Sequence, residues 1–125
     1  MIAESNVKLT IALKEPDLDA EELDELTRNL LQEMRDLNVE RADLVAVEET
    51  PERTKAFGGF LPGLLQAEVS VANIKRVLGF IGDRLGGQPI ELEVEANGKK
   101  LKVKASSQEE LHVAIQAAEK FVRQE

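Results

Sequence analysis

The spacing of apolar side chains over residues 7–49 predicts a strand, a helix and a second strand. The first strand has its apolar residues at every second position, Val7, Leu9, Ile11 and Leu13, which is the period of a strand with one buried face. Asp19 and Glu22 then resemble a capping box, and a helical stripe follows through Leu23, Leu26, Leu30, Met34 and Leu37. Residues 39–49 are expected to form a second strand, and their apolar side chains lie on both parities, so the pattern does not identify the buried face; a strand buried on both faces would explain it.

The segment Ala56 to Leu85 is apolar, and Gly and Pro interrupt it repeatedly. It contains Phe57, Phe60 and Phe80, three of the four aromatic residues of the chain. From about Glu68 the spacing favours a helix whose buried stripe is Val71, Ile74, Leu78, Ile81 and Leu85. Gly86 and Gly87 are expected to end this helix.

Residues 90–105 predict an antiparallel hairpin with a fixed register. Asn97-Gly98 supplies the two positive φ angles that a type I′ turn requires. A two-residue turn places three apolar pairs on the inner face, Val94 with Leu101, Leu92 with Val103 and Ile90 with Ala105. It also places three charged pairs on the outer face, Glu95 with Lys100, Glu93 with Lys102 and Glu91 with Lys104.

A last helix completes an α+β pattern. Ser107 and Glu110 are expected to cap it, with its inward side chains at Leu111, Ala114, Ile115, Ala118, Phe121 and Val122. The order β-α-β-α-β-β-α fits one α+β domain over residues 1–125, a two-layer sandwich with helices on one face of a four-stranded mixed sheet. The first β-α-β unit should be a right-handed crossover between parallel strands.

Composition and charge narrow the classes of partner. The chain has 16 Lys and Arg against 24 Asp and Glu, a net charge of −8. This charge repels phosphate backbones and anionic lipid surfaces, so no nucleic acid is expected as a partner. The apolar run at residues 57–65 is far shorter than the ~20 residues that span a bilayer, so we expect no membrane span. The N-terminus has no secretory pattern and the chain has no cysteine, and both features favour a cytoplasmic location.

Few residues of this chain could support catalysis, so we expect no enzyme activity, no metal and no cofactor. The acids of residues 17–25 lack the Gly and the bidentate Glu that a calcium loop needs, and they suit a helix N-terminus instead. The glycine-rich stretches FGGFLPG, residues 57–63, and GDRLGG, residues 82–87, do not match a phosphate-binding pattern. His112, the single histidine, falls beside the apolar stripe of its helix and is expected to be solvated. Ser106 and Ser107 are expected to act as caps rather than as nucleophiles.

The segment from Ala56 to Leu85 contains the candidate docking surface for a protein partner. Its apolar residues are Phe57, Phe60, Leu61, Leu64 and Leu65, joined by Phe80, which lies off the buried stripe of the following helix. Ala72, Gly79 and Gly86 recur at seven-residue intervals on another side of that helix, which would allow another backbone to approach closely. That backbone could belong to a second copy of the chain. The alternative is that the segment is additional core.

Residues 55–122 resemble the first type of effector-associated constant component, a small domain family of bacterial conflict systems. The similar stretches are KAFGGFLPGLL, VANIKRVLGFIGDRL, the double glycine, IELEVEANGKKLKV and ASSQEELHVAIQAAEKFV. The resemblance implies a non-enzymatic component that stands beside variable effectors, such as peptidases, and acts by protein contact in bacterial defence. It implies no catalytic residues.

Two hypotheses about function follow. The first is a cytoplasmic adaptor that binds an effector or regulatory protein through residues 57–65 and the exposed side of the next helix. The second is a small enzyme or ligand-binding domain with a pocket between residues 57–65 and the sheet. Burial distinguishes them, because an adaptor needs an exposed apolar patch and an enzyme needs a concave site with convergent polar groups.

Overall fold

The computed structural model describes residues 6–37, 39–46 and 60–123, which form five strands and three helices. The first part of the chain contains strand β1 (Asn6–Leu13), helix α1 (Ala20–Arg35) and strand β2 (Arg41–Ala46). Strand β3 (Phe60–Ser70), a single 3-10 turn (Val71–Asn73) and helix α2 (Ile74–Leu85) follow. Strands β4 (Ile90–Ala96) and β5 (Lys99–Ala105) and helix α3 (Gln108–Arg123) complete the fold. The predicted α+β class is confirmed.

The sheet differs from the predicted four-stranded mixed sheet. Its five strands have the order β2-β3-β1-β4-β5, and every neighbouring pair is antiparallel. β1 and β2 therefore run in the same direction, but they are not neighbours, because β3 lies between them. The shared direction agrees with the predicted crossover between parallel strands, but the intervening strand β3 is not among the predicted elements and makes every neighbouring pair antiparallel.

Strand β3 was hidden by two features of its sequence. Its second half alternates strictly from Leu65 to Ser70, but the helical spacing beyond it could be extended back to Glu68. Helix α2 in fact begins at Ile74, and Val71, predicted to be buried, is 47% exposed. The first half of β3 contains Pro62 and Gly63, which normally interrupt a strand.

Pro62 and Gly63 lie in a large bulge of β3. Between the paired positions Leu44–Leu65 and Ala46–Phe60, β3 has three more residues than β2. The extra residues leave the ladder, so the missing N–H of proline costs no sheet hydrogen bond there. Gly63 has a φ of +84°, a conformation that favours glycine.

Helix α1 packs directly against this bulge. Its one buried polar side chain among the described residues, Thr27, donates a 2.6 Å hydrogen bond from Oγ1 to the carbonyl of Leu23. The same oxygen accepts a 3.0 Å hydrogen bond from the N–H of Gly63. A Cβ on Gly63 would lie 2.9 Å from Leu23 Cδ2 and 3.1 Å from the carbonyl oxygen of Leu13. Glycine is therefore required here by both backbone angle and space.

The core lies between one face of the sheet and the three helices. Alternate residues of β1, β3 and β4 are buried on that face, and paired positions agree, as in Leu9 with Ala67 and Val94. Helix α2 contributes a buried stripe, Ile74, Val77, Leu78, Ile81 and Leu85. Burial of these aliphatic side chains stabilises the fold through removal of apolar surface from water.

The outer face of the sheet bears charged residues in a regular arrangement. One row crosses all five strands, with directly paired residues Arg41, Glu68, Lys8, Glu95 and Lys100. The sign of the charge alternates from each strand to the next along this row. Opposite charges at neighbouring positions favour this pairing and disfavour a shifted register.

The β4–β5 hairpin has the predicted turn and register. Asn97 and Gly98 have φ angles of 56° and 76°, as a type I′ turn requires. All six predicted pairs are present, with Ala96 and Lys99 flanking the turn. The predicted capping box of α1 is also confirmed, since Glu22 N–H donates to Asp19 Oδ1 at 2.8 Å and Asp19 N–H donates to Glu22 Oε1 at 3.1 Å.

Replacement of Gly98 by valine should destabilise the protein by more than ~1 kcal/mol, because a β-branched residue tolerates positive φ poorly. A Cβ at Gly98 meets no atom within 4 Å, so the loss would come from the backbone angle alone. Urea unfolding of wild type and Gly98→Val measures it. An unchanged midpoint would contradict the requirement for positive φ.

Thr27→Val should destabilise the protein by about 1–3 kcal/mol, because it leaves the buried N–H of Gly63 without its acceptor while preserving side-chain shape. Thr10→Val is the matched control, since Thr10 lies half-buried on the outer face of β1. Equal unfolding midpoints for the two variants would show that the Thr27–Gly63 bond contributes little.

Candidate protein-docking surface

The structure separates the residues predicted to form the docking surface. Phe57 lies outside the described residues, and for Phe60 and Leu61 only the backbone, in β3, is described. Leu65 is 1% exposed in the core, so it does not contribute to a docking surface. Leu64 is half-buried on the opposite face of the sheet, because successive side chains of a strand alternate.

The predicted pocket between residues 57–65 and the sheet does not fit the described residues. Residues 60–65 belong to β3 and are therefore part of the sheet itself. A segment cannot enclose a cavity against a sheet in which it is a central strand. The remaining residues of that prediction, 57–59, lie outside the described part of the chain.

Helix α2 also differs from the docking prediction. Phe80 is half-buried and packs against the hydrophobic core. A Cβ on Gly79 would meet no atom within 4 Å, so no described residue approaches that glycine closely. Close approaches within the fold are at Gly82, where a Cβ would lie 2.8 Å from Ile115 Cδ1 of α3, and at Gly86, where it would lie 3.2 Å from Gln108 Cγ. Gly82 is thus explained by contact with α3 within the fold.

A shallow apolar groove lies between β5 and α3. It has a volume of about 500 Å³ and is lined by Val103, Lys104, Glu109, Glu110, Val113, Ala114 and Ala117. Val113 is 63% exposed, more than the other exposed large apolar side chain of the described residues, Val71. Val103 and Ala117 are half-buried beside it. An exposed valine next to other apolar side chains is a surface that a protein partner can cover.

Val113 was not among the residues predicted from the sequence. It lies off the buried stripe of α3, as Phe80 lies off the stripe of α2, so the same test would have found it.

Strand β5 forms one edge of the sheet beside the groove. Its single neighbour in the described structure is β4. Because Ala96 and Lys99 flank a two-residue turn, they exchange hydrogen bonds, and every second pair after them does the same. The N–H and C=O groups of Lys100, Lys102 and Lys104 therefore point away from β4, toward the edge.

The lysines of β5 have only loose contacts with β4. Lys100 Nζ lies 3.6 Å from Glu93, and the Nζ atoms of Lys102 and Lys104 lie 3.9 and 4.0 Å from Glu91. Their side chains are 62–77% exposed. Exposed ion pairs of this length contribute little stability, so these ammonium groups can contact further acidic groups.

The start of α3, at one end of the groove, is held by two serines and one glutamate. Glu110 N–H donates to Ser107 Oγ at 3.1 Å, as the predicted cap requires. Glu110 Oε1 accepts from the backbone N–H of Ser106 at 2.7 Å and from its Oγ at 3.0 Å. These two hydrogen bonds lower the pKa of Glu110 because they stabilise its carboxylate, and the bond from the backbone N–H has the larger effect.

The residues considered for chemistry are exposed or serve to cap helix α3. His112 is exposed on α3, and Ser106 and Ser107 are engaged at the helix N-terminus. The described residues contain no group of three His, Cys, Asp or Glu side chains placed to hold a metal ion.

A second cavity, of about 630 Å³, lies near the hairpin turn and includes Val71, Lys99 and Phe121.

Comparison with models of protein families, with curated proteins and with solved structures finds no match for this chain. The resemblance to effector-associated constant components therefore remains a prediction. Among the described helices, none combines the length and apolar character needed to cross a membrane.

Glu110→Gln should destabilise the protein at neutral pH but not in acid. The folded-state pKa of Glu110 is lowered, so its carboxylate contributes stability above the unfolded pKa of about 4.3, and this is lost as pH falls through the folded value. Unfolding midpoints of wild type and Glu110→Gln should therefore approach each other as the pH falls below the unfolded value and coincide below the folded pKa of Glu110. Glu109→Gln removes the same charge from the same helical turn and serves as control. A difference that persists unchanged in acid would contradict the assignment.

Proposed function

We propose that this chain is a non-enzymatic protein-interaction domain, an adaptor that docks to an effector or regulatory protein of a bacterial conflict system. The observation that carries the docking part of the proposal is Val113, which is 63% exposed in the groove between β5 and α3. The resemblance of residues 55–122 to effector-associated constant components supports the biological setting.

The groove supports docking because it joins two features that partners use. Its apolar side chains would gain free energy on leaving water, at roughly 25 cal/mol per Å² of buried apolar surface. Beside it, the edge of β5 carries backbone donors and acceptors that face away from β4. Known strand-binding domains combine main-chain hydrogen bonds at a sheet edge with pockets for alternate side chains.

The proposed docking surface thus moves from residues 57–65 to β5 and α3. Leu65 is a core residue, and Phe80 packs against the core, so neither supports the original surface. Val103, Val113 and Ala117 take their place in the proposal. The adaptor hypothesis itself does not depend on which of the two surfaces is used.

Val113→Gln should abolish partner capture while the fold remains intact. An exposed substitution of this kind changes stability by less than about 0.5 kcal/mol. Val71→Gln is the matched control, because Val71 is the other exposed valine of the described residues and lies outside the groove. The three purified proteins are used as bait in extract of the native host, with bound proteins identified by mass spectrometry.

Proteins retained by wild type and Val71→Gln but not by Val113→Gln would support docking through the groove. Identical sets of bound proteins for all three baits would contradict it. Thermal unfolding of each bait establishes that the variants are folded.

A further inference from the structure

We infer that β5 binds an extended acidic segment of a partner protein as a sixth strand, with glutamate or aspartate alternating with aliphatic residues. The inference rests on the proposed docking function and names the chemistry of its partner. It is carried by the charge order of the outer sheet face together with the groove beneath the edge of β5.

The charge order of the outer face determines the sign that a sixth strand should carry. In the row Arg41, Glu68, Lys8, Glu95 and Lys100, each residue faces the opposite sign on the next strand. The row ends on Lys100 at the edge, and Lys102 and Lys104 continue the positive charge along β5. Acidic side chains on the next strand would extend the alternation and lie opposite three lysines.

The other face of an added strand would lie over the groove. Side chains of a strand alternate between faces, so residues between the acids would point toward α3. They would meet Val103 from β5 and Val113 and Ala117 from α3, which favours aliphatic side chains. Glu109 and Glu110 at one end of the groove would repel acidic side chains on this face of the added strand. The acids of the added strand should therefore lie on its outer face only.

A second copy of the chain fits this edge poorly. Antiparallel pairing of two β5 strands about Lys102 would place Lys102 opposite its own counterpart and Lys100 opposite Lys104. Like charges at directly opposed positions destabilise a strand pair. The edge strand β2 is also less suited, because Arg35 donates hydrogen bonds of 3.1 and 3.0 Å to its Ala42 carbonyl.

The lysines also permit a simpler explanation, in which they keep other strands away from the edge. The two explanations predict opposite behaviour toward an acidic strand. A protective edge would bind no alternating peptide, whereas a docking edge would select acidic over basic sequences.

Binding of labelled nine-residue peptides to the full chain, measured by fluorescence anisotropy, distinguishes them. The acidic alternating peptide SELEVEVES should bind, and the basic peptide SKLKVKVKS should not. The peptide SEELVVEES has the composition of the first without its alternation and should bind at least tenfold more weakly. Equal binding of SELEVEVES and SEELVVEES would overturn strand addition, and no binding of SELEVEVES would overturn the inference.

Variants of β5 test the two contributions separately. Lys102→Pro removes an N–H that points to the edge and is not used by β4, so it should weaken binding at least tenfold while the hairpin remains paired. Lys100→Gln with Lys104→Gln should weaken binding several-fold. Lys75→Gln with Lys120→Gln makes the same change of charge on exposed helix positions and should leave binding unchanged. Equal loss in both double variants would mean attraction by net charge alone and would overturn the inference.

Failure of this inference is distinguishable from failure of the proposed function. If SELEVEVES does not bind but Val113→Gln still loses its captured proteins, the acidic-strand inference is wrong and groove docking stands. If SELEVEVES does not bind and Val113→Gln captures the same proteins as wild type, both the acidic-strand inference and groove docking are wrong. Sedimentation showing a dimer that Lys102→Pro dissociates would identify a second copy as the occupant and overturn the acidic-segment inference.

Discussion

The contact between helix α1 and the bulge of β3 is the constraint on which the sheet topology depends. Thr27 Oγ1 accepts the N–H of Gly63, and the backbone angle of Gly63 allows the strand to leave the ladder there. β3 lies between β1 and β2, so it must satisfy two neighbours at once. A buried N–H without an acceptor would cost about 1–3 kcal/mol, and the threonine prevents that loss. Pro62 and Gly63 therefore serve the fold, although in the sequence they suggested an irregular docking segment.

The position of β3 in turn leaves the two sheet edges unlike each other. β2 contacts α1 and has its Ala42 carbonyl bound by Arg35. β5 carries exposed lysines and lies beside the apolar groove on α3. Edge strands attract other strands unless they are covered, charged or twisted away. The apolar groove beside β5 supports the proposed docking function, and the lysines of β5 support the further proposal of an acidic added strand.

Glycines at the end of helix α2 make contacts within the fold that their spacing in the sequence does not predict. The seven-residue spacing of Gly79 and Gly86 predicts a surface that another backbone can approach. Within the fold, a Cβ on Gly82 would lie 2.8 Å from Ile115 Cδ1 of α3, and one on Gly86 would lie 3.0 Å from the Gly82 carbonyl oxygen. Gly79 faces open space, so its cost of roughly 1 kcal/mol relative to alanine in a helix is not offset by any described contact.

The sequence by itself determined the local elements whose signals agree. The hairpin at Asn97-Gly98, the capping box of α1 and the inward stripe of α3 each combine a periodic pattern with a specific turn or cap, and backbone geometry near one site is enough to specify them. Only the tertiary structure decided that residues 60–70 form a central strand, because the bulge at Pro62 and Gly63 packs against a distant helix, whose Thr27 accepts the hydrogen bond of the Gly63 N–H. It also decided that Leu65 is core and Val113 exposed, since burial depends on which elements pack together and not on the apolar character of a residue alone.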